Sequence, residues 1–252
     1  MVNFQLEAWS AIASGLNTKQ DWQKWLENPT VPEEPVGKVA MQQIPPMLRR
    51  RFSTPGKCAL GAALPILAEV ETIPGIFASR HGDIRLTLSL LEGIGRDEPM
   101  SPTGFSLAVH NAVSGLFSIA RKDTSEVTAI AAMEGLVIQT LFEAVGQLQV
   151  SERVLCVIYD IPLPEPYSHY VDSDQFPYAI AMVLSRTNGE SYHLVQVDQP
   201  DQNEQGNSFL PDDLQSEPLR FIEMLSGKTA LVESKLNGTI WRIEKGQSWS
   251  KK

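Results

Sequence analysis

The sequence predicts an α/β layered domain, and three observations carry that reading. Apolar stretches of strand character alternate with helical periodicities over most of the chain. One of them, Val154-Leu155-Cys156-Val157-Ile158-Tyr159, is apolar without a break, as in a strand covered on both faces. The chain has 252 residues, 42% of them hydrophobic, which is enough for a sizeable core without disulfide staples. Residues 1–252 are read as a single domain.

In chain order, residues 4–26 read as a strand, a loop punctuated by Ser14-Gly15, and a helix whose face carries Trp22, Trp25 and Leu26. Residues 28–46 hold five prolines and form a surface loop. Helix signals resume at Met47–Phe52, and a second helix spans about 56–69 with small residues on its packing face. Ile73–Ser79 reads as a buried strand that enters the loop Arg80-His81-Gly82-Asp83, where Asp83 caps a helix over 85–93. Ser101-Pro102-Thr103 starts a helix that is expected to run to Ala120. A strand over 126–132 and a helix over 133–148 precede the 154–159 strand. Beyond Pro177, Asn188-Gly189 between two apolar runs predicts a hairpin of 178–185 with 191–197. A polar, mobile loop follows at 198–206, then a helix over 211–226 and a terminal strand at 239–243; residues 199–252 are treated as a divergent tail.

With 21 basic and 30 acidic residues, the net charge is −9, which disfavours nucleic acid and anionic lipid as partners. The N-terminus lacks the basic and apolar regions of a signal peptide. The most apolar long window, 127–145, is broken by Glu134, Gln139 and Glu143, so no membrane span is expected and a cytoplasmic location is the default. Cys58 and Cys156 sit among apolar residues and read as structural thiols.

Four histidines, at 81, 110, 169 and 193, share no metal-ligand spacing, and neither a phosphate-binding nor a dinucleotide-binding glycine loop is present. No metal or cofactor is expected. Ser79 stands at a strand-to-loop turn without the flanking glycines of a nucleophile elbow. With His81 and Asp83 it still makes one candidate acyl hydrolase or acyltransferase set. The same residues also read as loop-stabilising and helix-capping groups.

A stronger signal lies between Met100 and Asp160. Ser101-Pro102-Thr103, followed by Val109-His110-Asn111, and the spacing Asn111, Gly115, Ile119 resemble the dimer-interface helix of β-ketoacyl synthases. In that family the next strand ends in the nucleophilic cysteine. The corresponding place here is on or near Ala131, and no Cys, Ser or Thr lies between Ile130 and Glu134. The resemblance covers most of the chain at low identity and is strongest over 75–160. With Phe77–Asp83 it is similar, more narrowly, to the short ketosynthase-like chain-length factors of aryl polyene pigment clusters.

The resemblance implies a thiolase-like layered fold, one N-terminal-type half with a mixed sheet and a modified C-terminal tail. It also implies a non-catalytic subunit that pairs with an active β-ketoacyl synthase and shapes its acyl tunnel, meeting the acyl carrier protein transiently through the complex. Phe105, Val109, His110, Asn111, Phe117 and Met133 are the implied interface or tunnel residues. Neither His169 nor His193 lies in a motif matching the family's catalytic histidines. The cluster Arg49-Arg50-Arg51 is a candidate docking patch for an acidic carrier protein. A third reading, a homodimeric acyl-carrier-binding module, stays open beside these.

Overall fold

In the computed structural model, which describes residues 1–32, 39, 41–42, 44–68, 72–169, 176–198 and 208–246, strand and helix alternate as expected. The first half contains β1 (Val2–Ala13), α1 (Lys19–Trp25), α2 (Pro46–Arg49), α3 (Thr54–Ala63), β2 (Gly75–Ser79) and α4 (Ile84–Gly95). The middle contains α5 (Pro102–Ala108), α6 (Ala112–Arg121), β3 (Val127–Ala131), α7 (Leu136–Gln147) and β4 (Arg153–Asp160). The rest contains β5 (Tyr178–Ser185), β6 (Glu190–Val197), α8 (Glu217–Leu225), β7 (Leu231–Leu236) and β8 (Thr239–Lys245).

The strands form one eight-stranded mixed sheet in the order β3-β2-β4-β5-β1-β6-β8-β7. β2 pairs in parallel with β3 and β4, and β5 runs antiparallel to both β4 and β1. The apolar run in β4 explains the layering. Val154, Cys156 and Ile158 join the core on the α7 face, whereas Leu155, Val157 and Tyr159 join the core on the α3 and α6 face. Both faces are covered, so the strand needs no polar alternation. On the α7 side, Trp22 of α1 is fully buried and its indole N–H donates to the Ala11 carbonyl at 3.0 Å. A capping box between Thr18 and Asp21 starts that helix.

Several expectations are corrected. The two runs around Asn188-Gly189 are not a hairpin: β1 lies between them, pairing with β5 along Gln5–Ala13 and with β6 along Val2–Leu6. The chain steps from one side of β1 to the other beside its register shift at Leu6/Ala8. Gly189 (φ +121°) passes so close to the Leu6 carbonyl that any Cβ there would overlap it. The turn residues were legible, but which strands they join depends on long-range pairing.

The helix expected from 101 to 120 is two helices. Val109 is extended, and the His110 ring reaches back to the Ser79 carbonyl (Nε2···O 3.0 Å), so the chain breaks there and restarts at Ala112. The helix expected over 133–148 starts only at Leu136, after Gly135 in the left-handed region. That expected over 211–226 is likewise shorter: Asp212–Leu214 is a separate 3₁₀ turn before α8.

The C-terminal part is more than a tail. Among the described residues, 208–246 supply α8 and the strands β7 and β8, the latter closing on Asn237-Gly238 with both residues at positive φ. Strand β7 was missed because Glu233, Ser234 and Lys235 break its apolar pattern. The polar loop expected over 198–206 falls, from 199 on, outside the described residues, as do 33–38, 40 and 43 of the proline-rich stretch and 247–252 of the C-terminus.

Gly189→Ala is expected to destabilise the chain by at least about 2 kcal/mol, because both the backbone angle and the Leu6 contact oppose a side chain. Chemical denaturation monitored by circular dichroism measures it, with Gly227→Ala, where a Cβ meets no atom within 4 Å, as the comparison for φ alone.

Candidate functional site

The parallel strands β2, β3 and β4 end together, and in such sheets the carboxyl ends of the strands are where ligands bind. Ser79, the last residue of β2, is in register with Ala131, the last residue of β3. At the end of β4, Asp160 is fully buried and organises this corner. Its Oδ1 accepts from the Ser79 hydroxyl at 2.9 Å and from the Arg80 N–H at 3.1 Å, and its Oδ2 faces Arg80 Nε at 3.2 Å. Ser79 Oγ in turn accepts from the Gly82 N–H at 2.7 Å. A buried carboxylate demands such partners, because the desolvation it suffers has to be offset by charge and hydrogen bonds. Next to it, burial and then the charges of Asp160 and Asp83 push the Tyr159 phenol well above its ordinary range.

Asp83 caps α4, its Oδ1 accepting from the Leu86 N–H at 3.2 Å, as the sequence suggested. Gly82 (φ +59°) lets the loop turn beneath His110. Ser79, His81 and Asp83 are therefore not a nucleophile, base and orienter. The serine is fully buried, its proton is directed to Asp160, and Asp83 serves a helix end. That arrangement holds a loop and offers an acyl group no accessible hydroxyl.

Around this corner lies an uncovered apolar surface. Neither α4 nor α5 has a fully buried residue, and the two pack chiefly against each other. Leu91, Ile94, Met100, Val109 and Met133 are exposed, with Phe105 at 56% and Ile119 at 61%. Asn111, Gly115 and Ile119, spaced by four, form one exposed stripe of α6, and a Cβ on Gly115 would meet no atom within 4 Å. Beside α6 runs β3, the edge strand of the sheet, with Val127, Ala129 and Ala131 facing solvent. Exposed apolar side chains of this size beside an open strand edge are features common to association surfaces.

Of the implied interface residues, Phe105, Val109, Asn111 and Met133 lie on this exposed side, and His110 is half-buried under it. Phe117 turns the other way: it is 4% exposed and packs on Phe77 with ring centroids 5.1 Å apart. Arg50 and Arg51 are exposed and Arg49 half-buried at the end of α2. His193 meets Asn3 (Nδ1···Oδ1 2.8 Å) on β6, and His169 is exposed.

One position that shapes this region escaped sequence reasoning. Glu217, the first residue of α8, accepts from the Val137 and Ile138 N–H groups at 3.0 and 3.4 Å. It thus caps α7, whose own cap residue, Gly135, has no side chain to do so. Nothing local marks this contact, since the partners are 80 residues apart. Burial pushes the Glu217 carboxyl up, partly offset by the two N–H donors, Ser234 and the Arg220 charge. Desolvation also pushes the Cys58 thiol up to about 12 and raises that of Cys156, so neither is a nucleophile. Among the described residues, no three His, Cys, Asp or Glu side chains gather as metal ligands. None of the described helices is long and apolar enough to cross a membrane.

Residues 22–243 match the family model of the β-ketoacyl synthase N-terminal domain, and the chain belongs to that family. Comparison with curated protein sequences gives no match. Among solved structures, a ketosynthase in complex with its chain length factor from Xenorhabdus doucetiae is similar at 24% identity and a TM-score of 0.77, over 97% of this chain and 100% of that one. The ishigamide ketosynthase/chain length factor is similar at 10% identity and a TM-score of 0.69, over 98% and 100%. A β-ketoacyl synthase from Burkholderia phymatum is similar at 9% identity and a TM-score of 0.57, over 91% of this chain and 71% of that one. At these identities the likeness is one of fold, and it identifies the layered sheet as the thiolase-like half-domain expected.

Two outcomes follow from the site. Asp160→Ala is expected to cost about 3–5 kcal/mol, since it removes the buried carboxylate on which the Ser79 hydroxyl, the Arg80 N–H and the Arg80 guanidinium converge, while Ser79→Ala costs about 1–2 kcal/mol; urea melts of both variants measure the gap. For Glu217, the folded pKa lies above its ordinary value of 4.5, so its contribution is complete below that value and is lost as pH rises through the folded pKa. Melts of wild type and Glu217→Gln between pH 4 and 8 are expected to shift in favour of the variant as pH rises, and parallel curves would contradict this.

Proposed function

We propose that this chain is a non-catalytic, chain-length-factor-like subunit. In this reading it pairs with an active β-ketoacyl synthase and shapes the acyl tunnel in aryl polyene or related type II polyketide biosynthesis. The observation that carries the reading is the conjunction at the β3 edge. The family's Asn111/Gly115/Ile119 stripe is exposed on an apolar surface, while the strand beside it ends in Ala131, with no thiol or hydroxyl. Condensation needs a thiolate to take the acyl chain and donors to stabilise the developing oxyanion. A chain without the nucleophile but with the association surface suits a partner's role. Supporting this, two of the similar solved structures are ketosynthase and chain length factor assemblies.

In such a pair the catalytic subunit supplies the nucleophile, and Phe105, Val109 and Met133, with His110 behind them, stand where they limit how far an acyl chain extends across the seam. Phe117 acts only from behind, through the packing of α6 on the sheet. The acyl carrier protein is met through the assembly, and the complex is cytoplasmic.

Co-expression with an active β-ketoacyl synthase from the same source tests the reading. A stable complex burying roughly 2,000–5,000 Å² is expected, with the lone chain poorly behaved. A soluble monomer that ignores the ketosynthase on a sizing column overturns it, and a homodimer that excludes the ketosynthase favours the carrier-binding module. Ile119→Asp is expected to weaken the pair by roughly 30-fold or more, about 2 kcal/mol at an interface anchor. Phe105→Ala is expected to lengthen the products read by mass spectrometry without dissolving the complex.

A further inference from the structure

The N-terminal end of a helix presents unpaired N–H groups and the positive end of its dipole, which together stabilise an anion such as a thiolate or an oxyanion. In α7 that end follows directly on the loop 132–135, where β3 has just finished. Here it is already filled. The Glu217 carboxyl group takes the N–H groups of Val137 and Ile138, and it does so from the first turn of α8. The loop is held from the other side as well. The Leu236 side chain lies 3.2 Å from where a Cβ on Gly135 would stand, and the Asn237 N–H donates to Glu134 Oε2 at 3.1 Å. The turn of β7 and β8 therefore sits on the loop, while α8 plugs the helix behind it.

We propose that Glu217 is a built-in acceptor that keeps the N-terminal end of α7 occupied, so that the loop before it stabilises neither a thiolate nor an oxyanion, whatever residue stands there. It acts as a positioning residue: it touches no substrate, but it withdraws the electrostatic help a nucleophile would need. This rests on the reading of the chain as a non-catalytic partner and deepens it. Loss of the nucleophile is then one of two independent blocks, and restoring a cysteine alone leaves the second in place.

A reporter thiol tests this in the full-length chain. Met133→Cys places one at an exposed position two residues before the Gly135 cap, and the buried native thiols of Cys58 and Cys156 stay silent to iodoacetamide. The pH dependence of alkylation is measured with Glu217 and with Glu217→Gln. With Glu217 in place the titration midpoint is expected near that of an ordinary thiol. In the Gln background it is expected to fall by about one unit, roughly tenfold more thiolate at neutral pH. Identical midpoints in the two backgrounds overturn the proposal.

Should Glu217→Gln not fold, Val150→Cys serves as the reference, an exposed thiol past the C-terminal end of the same helix. A Met133→Cys midpoint level with or above that of Val150→Cys supports the plug, and one a full unit below it overturns it. No partner takes part in the measurement. Failure here leaves complex formation with the ketosynthase untouched, and failure of complex formation leaves this titration readable.

Discussion

Helix α7 has to be covered on two sides, and most of the architecture answers that demand. Val137, Ile138, Thr140, Leu141 and Ala144 are all fully buried. One side rests on β1, β2 and β4, where the alternate residues Cys156 and Ile158 meet it. A sheet covers only the face it touches, so the second side needs another layer. Helix α8 supplies it, with Phe221, Ile222 and Met224 in the same core as α7. Because α8 is tethered to β7 and β8, covering α7 also extends the sheet beyond β6. The chain after the central fold thus completes a core that would otherwise stand open, and Glu217 closes the polar end of the helix it covers.

The opposite edge is built on the reverse principle. At β3, α4, α5 and α6, large apolar side chains are left in solvent, and an edge strand keeps one row of its backbone groups unpaired. The buried corner beneath keeps this surface rigid. Asp160 ties the end of β4 to Ser79 and Arg80 after β2, and the Ser79 carbonyl holds His110 at the break between α5 and α6. That break aims the Asn111, Gly115 and Ile119 stripe outward, since a continuous helix from 101 to 120 would carry α6 on the axis of α5. A polar network deep in the molecule thereby sets the direction of an apolar face at its surface.

How much of this was readable follows from the range of the interactions involved. The 154–159 run announced a doubly covered strand because apolar continuity is a local property. Asp83 announced its cap for the same reason. The two Asn-Gly pairs show the boundary. At 237–238 the pair closes a hairpin, whereas at 188–189 the same dipeptide carries the chain across β1, and nothing within ten residues distinguishes them. Ser79 looked like a possible nucleophile until Asp160, 81 residues later, appeared as the acceptor of its proton. Glu217 was invisible for the same reason. The Asn111, Gly115 and Ile119 stripe was legible as a family pattern, but that it faces solvent while Phe117 faces Phe77 needed the helix in place.

The charge of the chain bears on how the proposed assembly would meet its substrates. With 21 basic and 30 acidic residues the chain repels another acidic protein at long range. Arg50 and Arg51 are a small exposed exception, but Arg49 is half-withdrawn, so the run presents two free cations rather than three. Screening over about 8–10 Å at physiological salt confines so small a patch to short-range contact. In the proposed assembly, steering of an acidic carrier protein would therefore fall mainly to the catalytic partner, which would also hold the thiol that the carrier must reach. What this chain would contribute to such an assembly is shape, held by buried groups: Asp160 at the α5–α6 break and Glu217 closing α7. Both work by removing a polar group from water and satisfying it internally, which leaves the apolar seam as the surface with most to gain from a partner.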